Sequence, residues 1–220
     1  MNYQIKGDNL PVLFCNMENG EQLTVEGGGM SWMTPNMEMS TTSGGGIGKV
    51  FGRIFSGETA FRNIYTANGN GMIAVSSSFP GSIKAFEVSP GNEIIFQKGS
   101  YLASDGSVET SICFNKKLGS GFFGGEGFIL ERASGNGRLF LEIDGSAEEY
   151  DLQPGQQIVV STGHLAAMSA TCSYDIVTVK GLKNKLLGGE GFFNTVITGP
   201  GKVILQSMPI ANLAGAIRPY

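Results

Sequence analysis

Histidine, tryptophan and cysteine are scarce in this chain of 220 residues, which has one histidine, His164, one tryptophan, Trp32, and three cysteines, Cys15, Cys113 and Cys172. An odd cysteine count without Cys-x-x-Cys spacing gives neither a disulfide framework nor a zinc site. Apolar neighbours such as Phe14, Ile112 and Phe114 make buried, reduced thiols the expectation. Charge is also sparse: only 15% of residues are charged and the net charge is −4, which gives no sign of a polyelectrolyte partner. No stretch approaches the ~18 uninterrupted apolar residues of a membrane span. The opening Met1-Asn2-Tyr3-Gln4 lacks the basic-then-apolar order of a secretion signal. The chain is therefore expected to be soluble and cytoplasmic, without a transmembrane segment.

Glycine, by contrast, is abundant, with 34 residues, and it punctuates an internal repeat. Ser56-Gly57-Glu58, Gly124-Gly125-Glu126 and Gly188-Gly189-Glu190 are three versions of one text, and their glutamates stand 68 and 64 residues apart. A second marker keeps the same register. Gly20, Gly91 and Gly155 each close a turn, and each is followed eight positions later by another glycine, Gly28, Gly99 and Gly163.

Between these markers, period-two alternation predicts strands at 22–25, 72–76, 93–96, 138–143, 157–160 and 202–206. In the segment 138–143, Leu139, Leu141 and Ile143 would line one face and Phe140 the other. The turns Asn68-Gly69-Asn70-Gly71, Gly135-Asn136-Gly137 and Gly199-Pro200-Gly201 read as hairpins, as do the Asn-Gly and Pro-Gly turns at 19–20, 90–91 and 154–155. Basic, apolar pieces at 47–55, 116–123 and 180–187 precede the Gly-Glu texts; Val50 with Ile54 and Phe51 with Phe55 suit two turns of amphipathic helix. The expected fold is all-β with short helices. It would be a single domain of three β-sandwich-like repeats, about 1–65, 66–133 and 134–197, plus a truncated copy at 198–220. Packing the copies as a pseudo-threefold prism would bury the faces that a lone unit leaves open.

Taken together, Gly-Gly-Met-Ser-Trp-Met at 28–33, Ser56-Gly57-Glu58 with Phe61, Ser78-Phe79-Pro80-Gly81-Ser82-Ile83 and Gly99-Ser100-Tyr101-Leu102-Ala103 resemble the altered-inheritance-of-mitochondria twenty-four family, from Leu10 to about Ala214. The resemblance implies a β-rich fold akin to the tryptophan RNA-binding attenuation protein, triplicated in one chain. It brings no catalytic residues, substrate or cofactor. Mitochondrial members are implicated in inner-membrane organisation; without a transit peptide, this chain resembles a bacterial or cytosolic relative.

Catalysis finds little support in the residues. His164 follows Gly163 at a position that Gly29 and Ser100 occupy in the other copies, which argues against a nucleophile and base pair. The stretch Ser43-Gly44-Gly45-Gly46-Ile47-Gly48-Lys49 fails the phosphate-loop pattern at both ends, since Ser43 replaces the first glycine and Val50 the hydroxyl residue. Glu58, Glu126 and Glu190 could converge near a threefold axis on a hard cation, or each could accept hydrogen bonds within its own turn. Lys180, Lys183 and Lys185, beside Leu182, Leu186 and Leu187, would present positive charge at an apolar edge to an acidic protein or an anionic membrane, unless that edge packs on its own sheet. Net acidity and a single tryptophan count against nucleic acid. The leading expectation is a non-enzymatic scaffold or interaction protein, with no cofactor, and with exposed edge strands that leave room for a homo-oligomer. The alternative is a small-ligand or metal-binding protein using the axis or a cleft between repeats.

Overall fold

In the computed structural model, residues 1–41, 62–116, 127–178 and 193–210 are described. They form nineteen strands and almost no helix, so the all-β expectation holds. In chain order the strands are β1 (Asn2–Lys6), β2 (Val12–Met17), β3 (Gln22–Glu26), β4 (Met30–Met33), β5 (Met37–Thr41), β6 (Arg62–Ala67), β7 (Gly71–Ser76), β8 (Gly81–Val88), β9 (Ile94–Gln97), β10 (Tyr101–Asp105), β11 (Glu109–Lys116), β12 (Phe128–Ser134), β13 (Gly137–Asp144), β14 (Ala147–Leu152), β15 (Gln157–Ser161), β16 (Leu165–Ser169), β17 (Ser173–Thr178), β18 (Phe193–Thr198) and β19 (Gly201–Gln206). Single 3-10 turns at Lys98–Ser100 and Thr162–His164 join β9 to β10 and β15 to β16.

Two compact units emerge. The first comprises Met1–Glu87, Tyr101–Val108 and Asn136–Glu142. It holds a four-stranded sheet, β1-β2-β7-β4, and a six-stranded sheet, β5-β6-β3-β10-β13-β8. Both sheets fill one interior: Leu13, Cys15, Met17, Ile73 and Val75 come from the first, and Leu23, Val25, Tyr65, Leu102 and Phe140 from the second. Alternation explains why these strands bury one face. In β2 the odd residues Leu13, Cys15 and Met17 are buried, while Val12 and Phe14 are half-buried and Asn16 is exposed.

The second unit comprises Val88–Ser100, Glu109–Gly135 and Ile143–Tyr220. Its sheets run β11-β12-β9-β16-β19-β14 and β15-β18-β17. Ile95, Phe128, Leu130, Leu165, Met168, Ile197 and Val203 form its core. Adding six to every strand number of the first six-stranded sheet reproduces the order of the second. The irregularities recur as well. A register shift interrupts β4 between Met30 and Trp32, β10 between Tyr101 and Ala103, and β16 between Leu165 and Ala167, each against the strand three further along the chain.

Pairing corrects one sequence expectation. None of the six glycine turns joins two strands of one ladder, because each links strands of different sheets: β2 to β3, β6 to β7, β8 to β9, β12 to β13, β14 to β15 and β18 to β19; around Pro90-Gly91 the pairing stops at a single antiparallel bridge of Ser89 with Asn92. The glycines do adopt the expected left-handed conformation, with φ of 84° at both Gly20 and Gly91 and 78° at Gly155. Such a residue sets a sharp change of direction, yet the backbone groups of the departing strands find their partners elsewhere. At the Gly20 corner, for instance, Gly20 N–H donates to the carbonyl of Ala67 at 2.7 Å and Ala67 N–H to that of Glu21 at 3.1 Å. The antiparallel pairs that are consecutive in sequence are instead β5 with β6, β11 with β12 and β17 with β18, besides β1 with β2. In β13 both faces are covered: from Leu139 to Ile143 every residue is buried, so Phe140 lies in the core as Leu139 does.

The corner after β10 shows how polar groups fix a turn. Asp105 Oδ1 accepts the backbone N–H of Arg138 at 2.7 Å, and Oδ2 lies 2.6 Å from the Arg138 guanidinium, which also donates to the carbonyl of Met1 at 2.9 Å. Gly106 follows with φ of 65°, and a Cβ there would stand 2.8 Å from the carbonyl oxygen of Asn136. Replacing Asp105 by alanine is expected to cost about 2 kcal/mol, since it strands a backbone donor and a partly buried cation. Asp105→Asn keeps the acceptor for Arg138 N–H and should lose roughly half as much. Urea unfolding of the two variants separates the contributions; equal losses would assign the whole effect to the ion pair.

Candidate functional site

All six residues singled out in the sequence, Glu58, Glu126, Glu190, Lys180, Lys183 and Lys185, lie outside the described residues, as do the basic pieces read as helices except Lys116, which is the last residue of strand β11. Topology nevertheless defines where their segments attach. Glu58 belongs to the connection from β5 to β6, Glu126 to that from β11 to β12, and the three lysines with Glu190 to that from β17 to β18. Each connection closes an antiparallel ladder whose last pairs are Thr41 with Asn63, Lys116 with Phe128 and Thr178 with Phe193.

Beside the first of these attachment points the described residues form a polar network. In the first unit, Arg62 opens β6 and its Nε donates to Glu26 Oε2 at 3.4 Å. Its guanidinium carbon stands 3.5 Å from the centre of the Tyr101 ring, a cation-π contact. The Tyr101 hydroxyl donates to the carbonyl of Thr24 at 3.2 Å and lies 2.8 Å from Ser104 Oγ. On the neighbouring strand, Glu142 Oε2 accepts the N–H of Ser78 at 2.7 Å and the hydroxyl of Ser77 at 3.1 Å. One buried carboxylate thus ties the entry to the Ser78-Phe79-Pro80-Gly81 text.

At the corresponding end of the second six-stranded sheet an amide does similar work. Gln206 Oε1 accepts the N–H of Asp144 at 3.2 Å, and Gln206 Nε2 donates to the carbonyl of Gly163 at 2.9 Å and to Gln97 Oε1 at 3.3 Å. His164 Nδ1 lies 2.8 Å from the Gln206 carbonyl oxygen, which can only accept, so this nitrogen carries the ring proton. The histidine is a strand-end residue bound to backbone. Deeper in the unit, Thr195 Oγ1 donates to Thr162 Oγ1 at 3.2 Å, and Thr162 in turn to the carbonyl of Phe193 at 2.8 Å.

The thiols are poor nucleophiles. Burial pushes Cys15 up to about 12, with Asp105 adding to the rise, and burial raises Cys113 and Cys172 too, so all three stay protonated at neutral pH. All are free; Cys15 and Cys172 are buried as expected. Cys113 is not. It is exposed, because the β11 ladder skips from Ile112 to Phe114 and leaves Cys113 as the extra residue of a bulge. Beside it, burial and then Cys113 push Tyr174 up to about 12. Among the described residues, no group of three or more His, Cys, Asp or Glu side chains is arranged to hold a metal ion.

Asp144 is the carboxyl whose environment gives a pH dependence. Burial raises it above the ordinary aspartate range, against the opposing hydrogen bond from Ile210 N–H to Oδ2 at 3.0 Å. In the folded chain it holds its proton to higher pH than in the unfolded chain. Its contribution to stability is therefore present below the ordinary aspartate pKa and falls away as pH rises through the raised value. Asp144→Asn removes the ionisation and keeps an acceptor for Ile210. The melting temperature of this variant relative to the parent should rise between pH 3 and pH 7, on the order of the upper acid range where aspartates titrate; a pH-independent difference would sink the assignment.

Sequence reasoning missed Glu26, Arg62, Tyr101, Glu142 and Gln206. The available signal was a polar residue set late in an apolar strand, as Glu142 is after Leu139-Phe140-Leu141 and Gln206 after Val203-Ile204-Leu205. It also missed an aromatic pair on the outer face of the four-stranded sheet. Trp32, 47% exposed, meets half-buried Phe14 edge to face at 5.8 Å, with Lys6 Nζ 5.1 Å above the Phe14 ring. Both aromatics flank Ala74 in register, which explains why that outward alanine is buried.

Known proteins are similar to this chain in sequence and in fold. An uncharacterised protein of Streptococcus pyogenes serotype M6 is 29% identical over 218 residues, covering 96% of this chain and 86% of that protein. A crystal structure of a Streptococcus pyogenes protein, solved by a structural genomics consortium, superposes with a TM-score of 0.82 at 26% identity, covering 98% of this chain and 97% of the other. The family model described as mitochondrial biogenesis AIM24 matches residues 3–208, and with nearly the whole length accounted for, the chain belongs to that family.

Proposed function

We propose that this protein is a non-enzymatic scaffold or interaction module that presents three strand-connecting segments to an acidic protein or an anionic membrane surface. The observation that supports this reading is the recurrence of strand order in steps of six. It makes β5–β6, β11–β12 and β17–β18 equivalent hairpins, and the connections of all three carry the Gly-Glu text. A chain that repeats one connection three times is organised for multivalent contact, in which weak individual contacts add up.

On this reading the copies are β2–β7, β8–β13 and β14–β19, so that β19 completes the third copy instead of opening a fourth. We further propose the pseudo-threefold prism as their arrangement, and a cytoplasmic setting. The antiparallel pairs β3 with β10 and β9 with β16 support the prism, because each joins one copy to the next. Co-sedimentation of the purified chain with anionic and neutral vesicles, alongside capture from native lysate and mass spectrometry, tests the function. Binding to anionic vesicles, or a reproducible protein partner lost when the lysines are neutralised, is the expected result. Failure of both, or partners indifferent to the lysines, would remove it.

A further inference from the structure

We draw no further inference here: the strongest candidate, the exposed Trp32 and half-buried Phe14 with Lys6 on the outer face of the four-stranded sheet, is an unpartnered surface patch, and nothing in the structure shows what covers it.

Discussion

Replacing Phe140 with alanine is expected to lower the stability of the first unit by about 4 kcal/mol, near the middle of the range for emptying a buried phenylalanine site. Phe140 is fully buried in β13 and packs into the interior shared by Leu13, Leu23, Val25 and Ile73. Tyr3 meets its ring edge to face at 5.0 Å, so the substitution removes an aromatic contact as well as apolar area. The surrounding strands are hydrogen-bonded on both sides, β10 on one edge and β8 on the other, which limits collapse into the cavity. At roughly 2–4 °C per kcal/mol for a chain of this size, the melting temperature should fall by about 10 °C. Trp32 is the sole tryptophan and lies in the same unit, so its fluorescence during urea unfolding reads the relevant transition. Phe140→Leu, which keeps most of the volume, should lose about 1 kcal/mol. A loss under about 1 kcal/mol for Phe140→Ala would mean that β13 does not carry the core of the unit.

The same strand shows what the sequence could and could not disclose. Its position was legible because Leu139, Leu141 and Ile143 alternate after a glycine turn, and β3, β7, β9, β15 and β19 were found in the same way. Alternation carries no information about the second face, however, and Phe140 and Glu142 are buried there because both faces of β13 are covered. Pairing was less legible still. The local chemistry of Asn19-Gly20 or Pro154-Gly155 is that of a hairpin turn, but whether two strands share a ladder depends on which other edges compete for their backbone groups. Those competitors are remote: Gln22–Glu26 pairs with Arg62–Ala67 on one side and with β10 on the other. The polar strand ends were hidden for a related reason. Nothing local in Arg62 predicts Tyr101, 39 positions on, and nothing near Glu142 predicts Ser78, 64 positions back. The Gly-Glu texts had the opposite character. They were conspicuous as sequence, and each falls in a connection between two antiparallel strands, outside the described residues.

Neutralising Lys180, Lys183 and Lys185 together, as glutamines, should weaken association with anionic vesicles about 100-fold. Each lysine near a negatively charged lipid surface contributes ~1 kcal/mol, and three such contributions exceed two decades of affinity at about 1.4 kcal/mol per decade. The chain's net charge of −4 opposes this attraction at long range, so the effect depends on the lysines being close to the surface and should fade as salt shortens the screening length. Glutamine keeps the side-chain length and a hydrogen-bonding end, which isolates charge from bulk. Two further variants make the result interpretable. Reversing Lys84, on β8 in the first unit, controls for general electrostatics, because it alters net charge by the same sign at a strand remote in sequence from the three connections. Glu58, Glu126 and Glu190 changed to glutamine test the neighbouring text, and this variant should bind anionic vesicles at least as well as the parent, since it removes three negative charges from the same connections. If the triple lysine variant binds anionic vesicles as the parent does, or if the parent binds neutral vesicles as well as anionic ones, positive charge in the β17–β18 connection is not what holds the protein at a membrane.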